Sequence, residues 1–214
     1  MKRLAFILWV AGWFAWGFSC AVVFGAWPRD SVCSISCGNA GGSGTLVARS
    51  KDGHGLVISA RHVFVGESGP TTCYWPAVKQ KCKARILGMS SINDIAALDV
   101  PNCPDIKLPA GIVAAKKSDG PFTAVGFPYY SRNEVRWTEG QFSNYENIGD
   151  KRSMFVSHQQ VASGYSGGGR FNAHGQYVGP ISGVVGEDGS HMDDTYGASG
   201  ELMLAFVGKY MGKK

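Results

Sequence analysis

Thr45-Leu46-Val47-Ala48, Ser50-Lys51-Asp52-Gly53 and Leu56-Val57-Ile58-Ser59 read in succession as a short β-prone run, a turn and a second strand. The Asp-Gly pair supplies hairpin chemistry, because both residues tolerate the backbone a tight reversal needs. The same punctuation continues outward. Lys83–Leu87, Ile95–Val100, Phe122–Val125, Met154–Val156, Gln176–Val178 and Ile181–Val185 are further strand candidates. Asn172-Ala173-His174-Gly175 reads as another hairpin turn between two of them. Around ten short strands at such intervals predict an all-β barrel or sandwich. The run 200–210 is ambiguous: Leu202, Met203, Phe206, Val207 and Tyr210 fit a helical stripe, and a last strand fits as well.

Composition agrees. The 214 residues are 44% apolar and only 17% charged, which excludes a mainly disordered chain, and 30 glycines without a G-X-Y period suit a turn-rich β protein. The formal charge of +5 includes Lys2 and Arg3 at the N-terminus. The other basic residues form no stripe, so nucleic acid is not an expected partner.

Residues 1–30 read as a signal peptide or an N-terminal transmembrane anchor, with 31–214 as the working domain. An uncharged apolar run from Leu4 to Trp27 follows Met1-Lys2-Arg3 and ends at Pro28-Arg29-Asp30. As a helix it is long enough to span a bilayer core of roughly 30 Å. Ser19-Cys20-Ala21 offers small residues for cleavage. In either case the two leading cations hold the N-terminus in the cytoplasm, and the rest lies across the membrane or is secreted.

Cysteines suit that compartment, where disulfides persist. Cys73 and Cys82 have the spacing of a bridged hairpin, and Cys103 is then expected to join Cys33 or Cys37. Zinc is the rival at Cys33-x3-Cys37, but no second pair completes such a site. His54, His174 and His191 lie in turns without ligand spacing, so no metal or cofactor is expected.

The chemistry concentrates in Ala162-Ser163-Gly164-Tyr165-Ser166-Gly167-Gly168-Gly169. A serine hydroxyl needs a base to become a nucleophile. Glycines around it let backbone N–H groups, here those of Gly164 and Ser166, converge on a developing oxyanion. Gly164-Tyr165-Ser166-Gly167-Gly168 also fits the α/β-hydrolase elbow, but the alternating helices of that fold are missing. Upstream, His62 follows an apolar strand in Leu56–Phe64, and Asp94 precedes another in Ile92–Leu98. Asp99 is the alternative acid, yet five residues along a strand it should lie ~16–17 Å away.

With these residues assembled, the chain resembles the trypsin-like serine proteases of the chymotrypsin fold, and most closely the HtrA-type branch and its short-loop relatives. The resemblance is carried by Gly42–Val47, Gly55–Val63, Ser91–Val100, Ala124–Pro128 and Gly164–Gly168 followed by Gly175–Gly179. It implies two six-stranded β-barrels with the site between them, preceded here by the hydrophobic N-terminal helix. It implies Ser166 as nucleophile, His62 as base, Asp94 as its orienting acid, and Gly164 and Ser166 as oxyanion donors. Tyr165 is expected to stand exposed near the leaving group, where the family has Asn or Asp, and Gly169 replaces the usual proline. The substrate pocket is placed at Gln160, Val161, Gly183 and Val185. Gln160 is no acid, which argues against a strict Lys/Arg preference and leaves small or medium apolar side chains. His158 is a further residue within reach of that pocket. The expectation is an endopeptidase acting on proteins or peptides. An inactive protease-like binding module, a viral polyprotein-processing protease and another acyl hydrolase are the alternatives.

Overall fold

The computed structural model describes residues 28–131, 133–146, 154–185, 194–198 and 200–211. The apolar run Leu4–Trp27 and His191 lie outside the described residues. Among these, no helix is long and apolar enough to cross a membrane.

Six strands close into a barrel: β1 (Val32–Cys37), β2 (Ala40–Arg49), β3 (Gly55–Ala60), β4 (Thr71–Trp75), β5 (Gln80–Ser90) and β6 (Ile95–Val100). Their order around the ring is β1-β2-β3-β6-β5-β4. The expected hairpin is β2–β3, registered Thr45 to Ile58. Its turn is tied by Ser50 N–H to His54 O (2.8 Å), with Gly53 at φ +81. Bulges between Leu46 and Ala48 and between Ile86 and Gly88 bend β2 and β5, the local curvature that closure requires. Val57, Leu98, Trp75 and Ile35 fill the interior.

The other half is a seven-stranded sheet: β7 (Phe122–Gly126), β8 (Arg136–Glu146), β9 (Met154–His158), β10 (Gly169–Phe171), β11 (Tyr177–Pro180), β12 (Gly183–Val185) and β13 (Asp194–Ala198). Their order is β11-β10-β7-β8-β9-β13-β12. The expected second closed six-stranded barrel is thus replaced, among the described residues, by an open order with β11 and β12 at its ends. The reason is local. The strand expected over Ile181–Val185 begins only at Gly183, because Ile181 spends its backbone on the serine turn: Gly167 N–H donates to Ile181 O (2.7 Å), and Ile181 N–H to Gly168 O (2.9 Å).

The ambiguous C-terminal run is a helix, α1 (Gly200–Met211). Met203, Phe206 and Val207 are buried in one cluster with Ile58, Ile95 and Ala97 of the barrel and Val125, Phe127 and Phe171 of the sheet. Burying each large side chain contributes about 1.5–3 kcal/mol before entropy is charged. Val57 and Leu98 point into the barrel while Ile58 and Ala97 point out to this shared core. The two strands are therefore covered on both faces, which explains why Leu56–Ser59 and Ile95–Leu98 are continuous apolar runs rather than alternating ones.

Candidate active site

Both ends of the β3–β6 pair are informative. The last register pair is Ala60 with Ile95, so the residues just beyond, Arg61-His62 on one side and Asp94 on the other, must meet. Arg61 N–H donates to Asp94 O (3.1 Å). The short helical turn Arg61–Phe64 is anchored by buried Val63 and Phe64, leaving His62 outward. His62 Nδ1 lies 2.8 Å from Asp94 Oδ2, and the His62 backbone N–H donates to Asp94 Oδ1 at 3.0 Å. Asp94 is 3% exposed, whereas the His62 side chain is 46% exposed. The acid holds φ +51, a left-handed conformation that Asp and Asn adopt more readily than other residues with a Cβ.

At the opposite end of the same strands, Asp99 is committed elsewhere. It accepts from His54 Nδ1 (2.8 Å) and from Arg85 (3.0 Å).

Ser166 is half-buried on a turn clamped by both halves of the molecule. Its carbonyl accepts from Ser43 N–H of β2 at 2.8 Å. Gly42 fits between that carbonyl and Val63, since a Cβ there would stand 2.8 Å from each. Gly167, at φ +84, has no room for a Cβ against Ser43 O, Ser59 Oγ and Ala60 N. The serine turn therefore rests on the end of β3, immediately before the segment that carries His62. Among the described residues Ser166 Oγ makes no hydrogen bond.

Around it the peptide planes are individually fixed. Ser163 O accepts from Tyr129 N–H (2.9 Å), and Tyr165 O from Gly168 N–H (2.7 Å). In a trans peptide the N–H points opposite its carbonyl, so the N–H groups of Gly164 and Ser166 are turned away from those partners. Neither donates to another group among the described residues. Gly164 adopts φ +101, and a Cβ there would overlap Phe127 O.

Tyr165 corrects an expectation. It is 5% exposed, packed with Ala124 and Ile181, and half-buried Val161 and Ala162 lie against the same cluster. The phenol ring is accommodated because residue 126 is glycine, whose Cβ would stand 2.9 Å from it. Gln160 is exposed, and Gly183 lies under the Tyr196 ring. Val185 ends β12. His158 is exposed on β9 and His174 in the β10–β11 turn. Ser182, which no motif in the sequence marks, has a buried hydroxyl that is unpartnered among the described residues.

The expected disulfides are not formed; Cys33, Cys37, Cys73, Cys82 and Cys103 are free and buried. Cys73 does stand opposite Cys82 in the β4–β5 ladder. The Cys73 thiol instead lies beside Cys33, and that of Cys82 donates to Asn102 O at 3.4 Å. Burial, and then that Cys73 contact, pushes the Cys33 thiol well up; burial also raises Cys82 and Cys103. Cys37 faces Gly69 O and Thr71 Oγ1.

Comparison with known proteins follows the geometry. A structure of the Rv3671c protease from M. tuberculosis in its active form superposes with TM-score 0.71 at 20% identity, covering 87% of this chain and 83% of that one. The same protease in its inactive form gives 0.65 at 21%, covering 85% and 90%. An HtrA-type protease, AlgW, with a tripeptide gives 0.69 at 16%, covering 86% and 61%. No curated protein is similar enough to be matched. The family model described as a trypsin-like peptidase domain matches residues 42–179, which takes in His62, Asp94 and Ser166. The chain belongs to the trypsin-like peptidase family and is a hydrolase of the serine endopeptidase class.

Proposed function

We propose that this endopeptidase works through Ser166, His62 and Asp94 by way of an acyl-enzyme. The observation that carries the reading is the 2.8 Å contact between His62 Nδ1 and a buried carboxylate. An ionised carboxylate only accepts, so Nδ1 keeps its proton and Nε2 is left as the base. Ser166 Oγ attacks the peptide carbonyl carbon while its proton passes to His62 Nε2. The oxyanion accepts from Gly164 and Ser166 N–H, and His62 then protonates the departing amine. Water repeats the sequence on the ester, giving the carboxylic acid and free serine.

The two departures from the family pattern do not favour an inactive module. Tyr165 is absorbed into a packed cluster over Gly126. At position 169 a Cβ would stand 2.7 Å from the Phe171 ring, so the neighbouring aromatic accounts for glycine. Half-buried Val161 and uncharged Gln160 support a preference for small or medium apolar side chains before the cut, with Gly183 and Val185 on the other wall. Residues 4–27, behind Lys2 and Arg3, support passage of the domain across a membrane, as an anchor or a removed signal.

The test is labelling of the full-length chain in detergent with a fluorophosphonate probe, beside S166A and H62A. Wild type should label, S166A should not, and H62A should label far more slowly. Equal labelling of wild type and S166A, or none of either, overturns the mechanism.

A further inference from the structure

The oxyanion donors sit on the second half of the molecule, yet side chains reaching between the halves fix their orientation. Ser43, on β2 of the barrel, is completely buried. Its Oγ donates to Gly164 O at 2.7 Å and accepts from Phe127 N–H at 2.9 Å. Its own N–H donates to Ser166 O at 2.8 Å, and its carbonyl accepts from Ser59 Oγ at 2.7 Å. One residue of the first half thus grips the serine turn on both sides of the serine. Two residues away on β2, Gly41 O accepts from the Tyr129 phenol at 2.9 Å. Tyr129 is the residue whose backbone N–H fixes Ser163 O.

The plane between residues 164 and 165 lies between the two planes that carry the candidate donors. Its carbonyl is held by Ser43 Oγ and its N–H by Ala162 O (3.1 Å). Release of that carbonyl frees rotation about the Gly164 and Tyr165 backbone, which aims both flanking N–H groups. Gly164 is the least restrained residue in such a turn, since glycine has no Cβ to limit it. Resting on the mechanism proposed above, we propose that the Ser43 hydroxyl, seconded by the Tyr129 phenol, is a positioning device that aligns the oxyanion donors only when the half bearing His62 and Asp94 is docked. Neither residue is assigned a contact with substrate. Among the described residues the buried Ser43 makes no hydrogen bond with His62 or Asp94, so its effect falls on transition-state binding and not on the base.

The experiment uses full-length S43A in detergent, with active sites counted by fluorophosphonate titration. A peptide anilide with an apolar residue before the cut is the substrate. The matching peptide aldehyde, whose tetrahedral adduct places an oxyanion between the donors, is the inhibitor. Deleting a donor outright costs about 10²–10³ in kcat; misaligning both should cost ~10- to 100-fold. The expected result is that fall in kcat with KM within about twofold. The aldehyde Ki should rise by the same factor as kcat/KM falls, and the pH midpoint of kcat/KM should not move. A residue that merely stabilises the fold lowers the melting temperature and the number of active sites, but leaves Ki per site unchanged.

Should S43A fail to fold, Y129F, altered on an exposed ring, reads the same question and should show a smaller loss in the same two quantities. Folded S43A, or Y129F in its place, with kcat and Ki within twofold of wild type overturns the proposal and leaves the mechanism standing. A wild-type chain that takes no probe overturns both.

Discussion

Replacing Asp94 by Asn tests the mechanism most sharply, because the structure holds two His–Asp pairs on the same two strands. Asp94 uses one oxygen for the His62 backbone N–H and the other for Nδ1. An amide keeps one acceptor and turns an NH2 toward the other. If its oxygen stays with the backbone N–H, the amide donates to Nδ1 and the imidazole proton moves to Nε2. The base is then lost. Loss of the correct tautomer in a serine triad lowers kcat by about 10⁴, or about 5.5 kcal/mol of transition-state stabilisation. The backbone should survive, since Asn tolerates φ +51 as Asp does. Both charge-assisted hydrogen bonds of Asp94 become neutral, a loss of about 2–3 kcal/mol in a fold of ordinary stability. The control is Asp99→Asn, which removes the charge and one of the two acceptors shared between His54 and Arg85 and should leave kcat within about twofold. Both variants are measured on a peptide anilide at pH 8, with urea unfolding alongside. D94N within tenfold of wild type, or D99N as impaired as D94N, refutes the assignment.

Two glycines separate backbone strain from crowding. Gly53 and Gly167 both have φ near +80, but a Cβ on Gly53 meets nothing within 4 Å, while on Gly167 it overlaps Ser43 O and Ser59 Oγ. Gly53→Ala should therefore cost only the ~1–2 kcal/mol of a left-handed residue, and Gly167→Ala distinctly more, read as the difference between their urea midpoints with activity lost only in the second. Alkali should also weaken the fold. Unfolded thiols ionise near ~8.5, while burial holds Cys33, Cys82 and Cys103 protonated above their ordinary range and raises the buried Tyr177 phenol in the same direction. The stability they contribute is complete below ~8.5 and is lost as pH rises through the unfolded values toward the folded ones. With thiols kept reduced, the urea midpoint should fall between pH 8 and pH 10, and C33A should flatten that slope; an unchanged midpoint contradicts the argument.

His62 and Asp94 were legible because each abuts an apolar run, and those runs are the two strands buried on both faces. The register that ends at Ala60 and Ile95 then brings them together. Strands β1, β4, β8, β10 and β13 were less visible. Their Ser, Cys, Thr, Gly and charged residues make no apolar run, and their pairing depends on neighbours far along the chain. The helix at 200–211 was undecided because a short apolar stripe fits either period until a flat surface, here Ile58 and Ala97, selects one face. Tyr165 was misjudged because its burial depends on Gly126, far back along the chain. Nothing near Tyr129 marked it, since its value lies in a carbonyl on the other half of the molecule.

These long-range dependencies share one physical cause. The seam between the halves is built at backbone distance, so glycines line it. A Cβ on Gly167 would overlap Ser43 O and Ser59 Oγ, one on Gly169 would stand 2.7 Å from Thr45 Oγ1, and one on Gly42 would stand 2.8 Å from the Ser166 carbonyl. A backbone seam transmits position better than a layer of side chains, because peptide groups have one hydrogen-bonding geometry while aliphatic chains repack. Ser43 lies in that seam, and three of its four hydrogen bonds reach the other half. The proposed base and its acid come from one half, and the turn with the proposed nucleophile and oxyanion donors from the other. Their relative placement therefore depends on these hydrogen bonds together with the shared apolar core, and any change that widens the seam should reduce turnover before it unfolds either half.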